Sequence, residues 1–188
     1  MEDERIERIL EAVAALSEEQ RQRLLRSLAQ TYGPPEEPEA VAVPLSFKTT
    51  QVAGTLDYSL LFDGGSRGNP GPGYGSYRLT RVADGRFDIV RLDFGRTMTN
   101  NEAEYAALIA ALEGLIERVR VAGRDPADFT VEVRGDSALV IRQVEGTWKV
   151  RDERMRALRN QARELLACFQ GYRLVLQGRE ETVCVLGH

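Results

Sequence analysis

Three acidic residues occupy places in the sequence where a carboxylate can do chemistry: Asp63, Glu104 and Asp136. Asp63 ends an apolar run and precedes a glycine-rich stretch, so it stands where a buried strand meets solvent. Such a carboxylate is costly unless it is paired, hydrated or bound to a metal ion. Three carboxylates that converge on one edge of a sheet would bind divalent metal ions, because these hard cations prefer oxygen ligands.

Two of these acids have ordinary structural explanations as well. Asp63 can form an Asx turn before Gly64, and Asp136 can be the N-cap of the helix predicted to begin at Ser137. Either explanation is sufficient for one residue taken alone. The joint placement of the two acids after neighbouring strands is what favours a shared site.

Glu104 is the most informative acid, because it shares one helical stripe with Leu108, Leu112 and Leu115. That stripe is expected to face the sheet, so a carboxylate in the first turn is directed towards the strand ends. Glu104 could instead serve as a capping residue, with Asn101 as the N-cap. Thr99 and Glu102 form a better capping box, however, which leaves Glu104 available for another role.

The glycine-rich stretch at 64–73, GGSRGNPGPG, has the composition of a phosphate-binding loop. It leads into a predicted strand, whereas the dinucleotide fingerprint requires a helix N-terminus at that point, so we reject this interpretation. Glycines here would let a nucleic-acid backbone approach closely, with Ser66 and Asn69 donating hydrogen bonds. A tight hairpin connection is the alternative.

The hydrophobic pattern predicts strands at 56–63, 74–82, 86–94, 129–134 and 172–177, and helices at 101–119, 137–144 and 152–169. The order β-β-β-α-β-α-α-β predicts an α/β fold, in which a mixed five-stranded sheet carries helices on its faces. A right-handed crossover places the first and fourth strands side by side and parallel. Asp63 and Asp136 are then expected at the same edge of the sheet, where α/β folds usually bind ligands.

The N-terminal part of the sequence is typical of an accessory piece. Residues 1–32 are predicted to form a helical hairpin and 33–54 a Pro-rich acidic linker, which assigns 55–188 to the main domain. Nothing in the hairpin points to chemistry. It is expected to pack on the main domain or on a second copy of the chain, and self-association is therefore one prediction.

The composition of the 188 residues excludes several classes of protein. The chain has no apolar run of about 18 residues, so no membrane span is expected. Its acidic N-terminus argues against a secretory signal, and the spacing of Cys168 and Cys184 suits neither zinc nor redox chemistry, so cytoplasmic localisation is expected. The net charge of −4 comes from residues 1–40, which hold five Arg and ten acids; the rest is nearly neutral.

Three blocks of sequence together resemble the type 1 ribonucleases H, in particular the archaeal and bacterial branch without a basic protrusion. They read LLFDGGSRGNPGPGYGSY at 60–77, TNNEAEYAALIAALEGL at 99–115 and VRGDSALVIRQVEGTWKV at 133–150. The resemblance covers residues 56–181. It implies a ribonuclease H-like fold and hydrolysis of the RNA strand of RNA–DNA hybrids with two Mg²⁺ or Mn²⁺ ions.

The resemblance also implies roles for individual residues. The three acids match the first three metal-binding carboxylates of the family and are therefore the predicted catalytic residues. Three amides match residues that contact the hybrid in its minor groove, where the 2′-hydroxyls distinguish RNA from DNA: Asn69, Asn100 and Asn101. Ser66 and Arg67 lie in the same substrate loop, and Thr99 is expected near a phosphate of the DNA strand.

Two further residues, Trp148 and Lys149, lie between predicted helices, where an aromatic ring and a cation can contact a nucleic-acid backbone. The alternative is that Trp148 closes a corner between helices and Lys149 is solvated. The arginines of the following helix are expected to form mainly a solvated face.

The sequence departs from the family at its fourth metal-binding acid. An Asp is expected near Leu186, and the printed sequence has neither an acid there nor, by its pattern, room for a helix, which suggests truncation or a frameshift. Loss of one carboxylate would weaken the second metal position. Two functions therefore remain open: a nuclease that is weak or Mn²⁺-dependent, with Glu180 or Glu181 partly substituting, and a catalytically inactive module that binds nucleic acid or a protein.

Overall fold

The computed structural model describes residues 56–187 together with Gln20 and Leu24. Residues 56–187 belong to the second of two units into which the chain divides, 40–188. The hairpin predicted at 1–32, apart from Gln20 and Leu24, and the linker predicted at 33–54 lie outside the described residues. Both remain predictions.

Residues 56–187 form five strands and four α-helices, with a short 3₁₀ helix at Pro126–Asp128. The strands are β1 (Tyr58–Ser66), β2 (Gly71–Arg81), β3 (Phe87–Met98), β4 (Thr130–Gly135) and β5 (Gly171–Leu176). The helices are α1 (Asn100–Val121), α2 (Ala138–Glu145), α3 (Glu153–Leu166) and α4 (Arg179–Leu186). No helix of this described part is long and apolar enough to cross a membrane.

The sheet has the strand order β3-β2-β1-β4-β5. Strands β1, β2 and β3 pair in antiparallel fashion, while β1 pairs with β4, and β4 with β5, in parallel. The predicted mixed five-stranded sheet is therefore confirmed. The predicted parallel pairing of the first and fourth strands is confirmed with it, and the register Leu61↔Arg134 defines how their carboxyl ends align.

The core lies between the sheet and helix α1. Leu108, Leu112 and Leu115 are fully buried, as the stripe pattern predicts, and they share one hydrophobic cluster with Phe62 and Val133 of the central strands. Each such side chain contributes about 1.5–3 kcal/mol by leaving water. This packing fixes the angle and height of α1 over β1, and so it fixes where the first turn of α1 lies.

The structure extends several predicted elements and corrects one prediction. Strand β2 begins at Gly71 and not at 74, because the glycines of the turn continue the pairing with β3 as far as Gly71↔Met98. The expectation that the chain has no room for a helix after β5 is wrong. Helix α4 forms there, and its buried residues Thr182 and Leu186 hold it against the domain.

Candidate metal centre and substrate surface

Strands β1 and β4 bring two of the three acids together. Asp63 lies within β1, opposite Ser76 of β2, and is 5% exposed. Asp136 follows the last residue of β4, and its side chain is also 5% exposed. Because the two strands are parallel neighbours, continuing their register by two residues places these side chains next to each other. Ser137, and not Asp136, is the N-cap of α2, so capping does not explain Asp136.

Helix α1 supplies the third acid, Glu104. Thr99 is the N-cap of this helix and forms the predicted capping box: its hydroxyl accepts from the Glu102 amide at 3.2 Å. The Glu102 carboxylate in turn accepts from the Thr99 amide at 2.8 Å. Since this pair satisfies the helix terminus, Glu104 is free of the capping role, as predicted.

Gly64 allows α1 to come this close to β1. A Cβ at Gly64 would lie 2.3 Å from the Ala103 carbonyl oxygen and 2.6 Å from the Glu104 amide nitrogen. Both neighbours are backbone atoms of a packed helix, which cannot move like the end of a flexible side chain. Gly64 therefore serves a contact within the protein, while close approach of a nucleic acid to the other glycines of this stretch stays a prediction.

The Gly64→Ala variant is consequently expected to lose about 1–3 kcal/mol of unfolding free energy, because overpacking must push α1 away from β1. Denaturant unfolding measures this loss. Gly178→Ala is the matched control, since Gly178 has an ordinary φ of −70° and no atom within 4 Å of the added methyl group. Equal stability of the two variants would contradict the close packing at Gly64.

Each of the three acids contributes one carboxylate oxygen to a cluster in which these atoms lie within 4.8 Å of one another. Two buried oxygens of this cluster, Glu104 Oε2 and Asp136 Oδ1, have no hydrogen-bond partner. Burial, followed by the nearby charges of Asp63 and Asp136, raises the pKa of Glu104 to about 9. Three crowded carboxylates with unpaired oxygens fit a divalent cation, which would neutralise their charge and use those oxygens as ligands.

Glu132, a buried glutamate of β4, shows what a carboxylate with all its partners looks like. Glu132 accepts hydrogen bonds from Arg134 Nε at 2.5 Å and from Arg173 Nε at 2.8 Å. Burial acts to raise its pKa, but the two guanidinium groups outweigh burial and the pKa is lowered. Glu104 has no such partner, and this difference separates a structural ion pair from a site that suits a metal ion.

Helix α4 adds a cation that the sequence pattern did not single out. Arg179 Nη1 lies 3.4 Å from Asp136 Oδ2, and the Arg179 side chain is 72% exposed. Its position after β5, the parallel neighbour of β4, is the signal that would have located it. Glu180 and Glu181 lie in the same helical turn, and within the described residues neither joins the carboxylate cluster.

The predicted substrate loop is joined to the first residue of α1 by hydrogen bonds. The amide and hydroxyl of Ser66 both donate to Asn100 Oδ1, at 2.9 and 2.8 Å. The Asn100 amide donates to Asn69 Oδ1 at 3.1 Å. These bonds fix the orientation of two exposed amide side chains beside the cluster, next to exposed Asn101.

The other residues predicted to contact the hybrid lie outside this hydrogen-bonded group. Arg67 is exposed and lies over the ring of Tyr74, 5.9 Å from its centroid. The hydroxyl of Thr99 is used within the capping box. Trp148, 44% exposed, and the exposed Lys149 lie on a separate loop between α2 and α3.

Residues 61–185 match the family described as reverse transcriptase-like. Over 119 residues the chain is 43% identical to ribonuclease HI of Halobacterium salinarum. This match covers 59% of this chain and 51% of that protein. A bifunctional protein of Mycobacterium tuberculosis is 40% identical over 109 residues, covering 57% of this chain and 28% of the relative. The chain thus spans about half, or less, of the length of these curated relatives.

Solved structures show the same likeness. The crystal structure of the type 1 ribonuclease H from Halobacterium salinarum is 39% identical, with a TM-score of 0.57, and covers 66% of this chain and 88% of that chain. A type 1 ribonuclease H isolated from compost, solved in complex with an RNA/DNA hybrid, is 30% identical. Its TM-score is 0.57, and the match covers 68% of this chain and 89% of that chain.

The strand order, the helix placement and the acids at the sheet edge define a protein of the ribonuclease H-like class. With the matching sequence over residues 61–185, the chain belongs to the type 1 ribonuclease H family.

Proposed function

We propose that this chain is a metal-dependent endonuclease that hydrolyses the RNA strand of RNA–DNA hybrids. The observation that carries the proposal is the cluster of three carboxylates with two buried, unpaired oxygens, whose Glu104 lies on the same helix as the exposed amide of Asn100. The family membership and the hybrid complex of the compost relative support the choice of substrate. The domain proposed to do this is 55–188.

The three carboxylates of Asp63, Glu104 and Asp136 are the proposed ligands of Mg²⁺ or Mn²⁺. When bound, these ions supply an activated water and offset the charge that develops on the leaving 3′ oxygen. The chain's own part is to hold the ligands in place: β1 and β4 fix the two aspartates, and the capping box fixes the first turn that carries Glu104. Because the side chains are already buried, little ordering is required on binding.

Asn69, Asn100 and Asn101 are the proposed readers of the hybrid's minor groove. An amide both donates and accepts hydrogen bonds, as does the 2′-hydroxyl that distinguishes RNA from DNA. Ser66 orients Asn100, and Asn100 in turn orients Asn69 through its main-chain amide. Arg67 is the proposed contact to a phosphate, a contact that would position the duplex without reading its sequence.

The proposal is tested with four short duplexes of one sequence: a hybrid labelled on RNA, the same hybrid labelled on DNA, an RNA duplex and a DNA duplex. With Mg²⁺ or Mn²⁺ we expect internal cuts in the RNA of the hybrid alone. A chelator is expected to abolish them. Binding of the hybrid without cleavage would instead support the inactive module, and equal cleavage of the RNA duplex would contradict reading of the hybrid.

We further propose that the second metal position is weak, because the three acids form the whole cluster among the described residues. Titration of each metal against the cleavage rate is the measurement. Mn²⁺ is expected to support activity at lower concentration than Mg²⁺, since carboxylate sites suit both ions, whereas Mg²⁺ demands near-ideal octahedral geometry and dehydrates reluctantly. Half-maximal activity at the same concentration of both ions would contradict this.

A further inference from the structure

A chain of buried hydrogen bonds joins the helix that carries Glu104 to the loop that carries Trp148. Tyr105, the residue after Glu104, is fully buried, and its hydroxyl donates to Gln143 Oε1 at 3.0 Å. Gln143 belongs to α2 and is 8% exposed. Its Nε2 donates to the carbonyl of Lys149 at 3.3 Å.

The loop itself, residues 146–150, is anchored in two halves. Its first half turns back on α2, with the amides of Gly146, Thr147 and Trp148 all donating to the Arg142 carbonyl at 3.0–3.1 Å. Gly146 adopts the left-handed conformation, with φ of 96°, that this turn requires. The second half of the loop is held by the hydrogen bond from Gln143 to the Lys149 carbonyl.

A buried amide and hydroxyl in a hydrophobic core need a reason, because each is costly unless fully paired. Leucine or methionine in place of Gln143, and phenylalanine in place of Tyr105, would fill the same space without that cost. The pairing seen here satisfies both groups, and it does so across three segments: α1, α2 and the loop.

We propose that Gln143, oriented by Tyr105, is a positioning residue that holds the Trp148–Lys149 loop in a fixed position relative to the carboxylate cluster. The link gives this loop a defined place next to a bound duplex, although neither Gln143 nor Tyr105 contacts substrate. The positioning of the loop is a property of the free protein. Its effect on hybrid binding rests on the proposed function.

The first test reads the loop directly, because Trp148 is the single tryptophan of the chain. In the Gln143→Met and Tyr105→Phe variants, the Trp148 emission is expected to shift to the red and to be quenched more strongly by acrylamide. The control is Tyr77→Phe, which removes a hydroxyl from the same core beside Gly114 and away from the loop. Unchanged emission and quenching in Gln143→Met would overturn the inference, whether or not the protein is a nuclease.

The second test uses a labelled RNA–DNA hybrid in steady-state cleavage. Gln143→Met is expected to raise KM by about threefold to tenfold, the equivalent of one hydrogen bond, while kcat changes little. In a Trp148→Ala background the same substitution is expected to have no further effect on KM. A fall in kcat at constant KM, or full additivity of the two substitutions, would reject positioning through the loop. If the wild-type chain neither binds nor cleaves the hybrid, the nuclease proposal is wrong, but the inference about the position of the loop still stands.

Discussion

The Asp63→Asn variant is expected to cleave an RNA–DNA hybrid about three orders of magnitude more slowly than the wild type, or slower still. The substitution keeps the size of a side chain that is 5% exposed, but it replaces one of the three carboxyl groups that face one another. A neutral amide is a poor ligand for Mg²⁺ compared with a carboxylate. The measurement is the single-turnover rate at saturating metal ion.

The matched control is Asp128→Asn, the same chemical change at an exposed acid of the 3₁₀ helix that lies outside the cluster. We expect it to retain the wild-type rate. The Asp63→Asn variant should still fold and bind the hybrid, because the substrate amides lie on other side chains. Wild-type cleavage by Asp63→Asn would remove the case for a metal centre here.

The metal-free protein is expected to lose stability as the pH rises from about 4.5 to about 9, and the Glu104→Gln variant is expected to escape this loss. The folded-state pKa of Glu104 lies above the ordinary value of 4.5, so between these pH values the folded chain holds a proton that the unfolded chain has released. The free energy of unfolding then falls as the pH increases, by at most about 1.4 kcal/mol per pH unit for one proton.

Chemical denaturation in a chelator, repeated across this pH range, gives the two stability profiles. The difference between Glu104→Gln and the wild type should grow with pH, whereas Glu113→Gln, an exposed position on the same helix, should follow the wild type. Added Mn²⁺ should stabilise the wild type more at pH 8 than at pH 6 and should stabilise Glu104→Gln far less, because bound metal replaces the proton. Parallel profiles of Glu104→Gln and the wild type would show that Glu104 titrates normally.

Much of the fold follows from local patterns in the sequence. The buried leucine stripe of α1 and the capping box of Thr99 and Glu102 were readable because each depends on residues within a few positions of one another. The parallel pairing of β1 and β4 follows from the handedness of a crossover connection, which holds for almost any sequence. These regularities were sufficient to predict that Asp63 and Asp136 share a sheet edge.

Helix α4 was not readable in this way. Its sequence, REETVCVL, is rich in β-branched residues that favour strands, and its N-cap, Gly178, offers no side chain to the first turn. The helix depends on tertiary contacts, namely the burial of Leu186 and the hydrogen bond from Gln177 Nε2 to the Thr182 hydroxyl at 2.8 Å. Packing overrides local preference here, as it commonly does for short elements.

The sequence by itself determined which residues could do chemistry: three acids in specific local settings, a set of asparagines proposed to contact the substrate, and an order of strands that brings the acids together. Only the tertiary structure decided what surrounds them. Gly64 meets the backbone of Ala103, Arg179 reaches Asp136, and Tyr105 binds Gln143, all between residues more than 35 positions apart. Contacts at such separations depend on how the helices pack on the sheet, and that packing geometry produces no periodic pattern in the sequence.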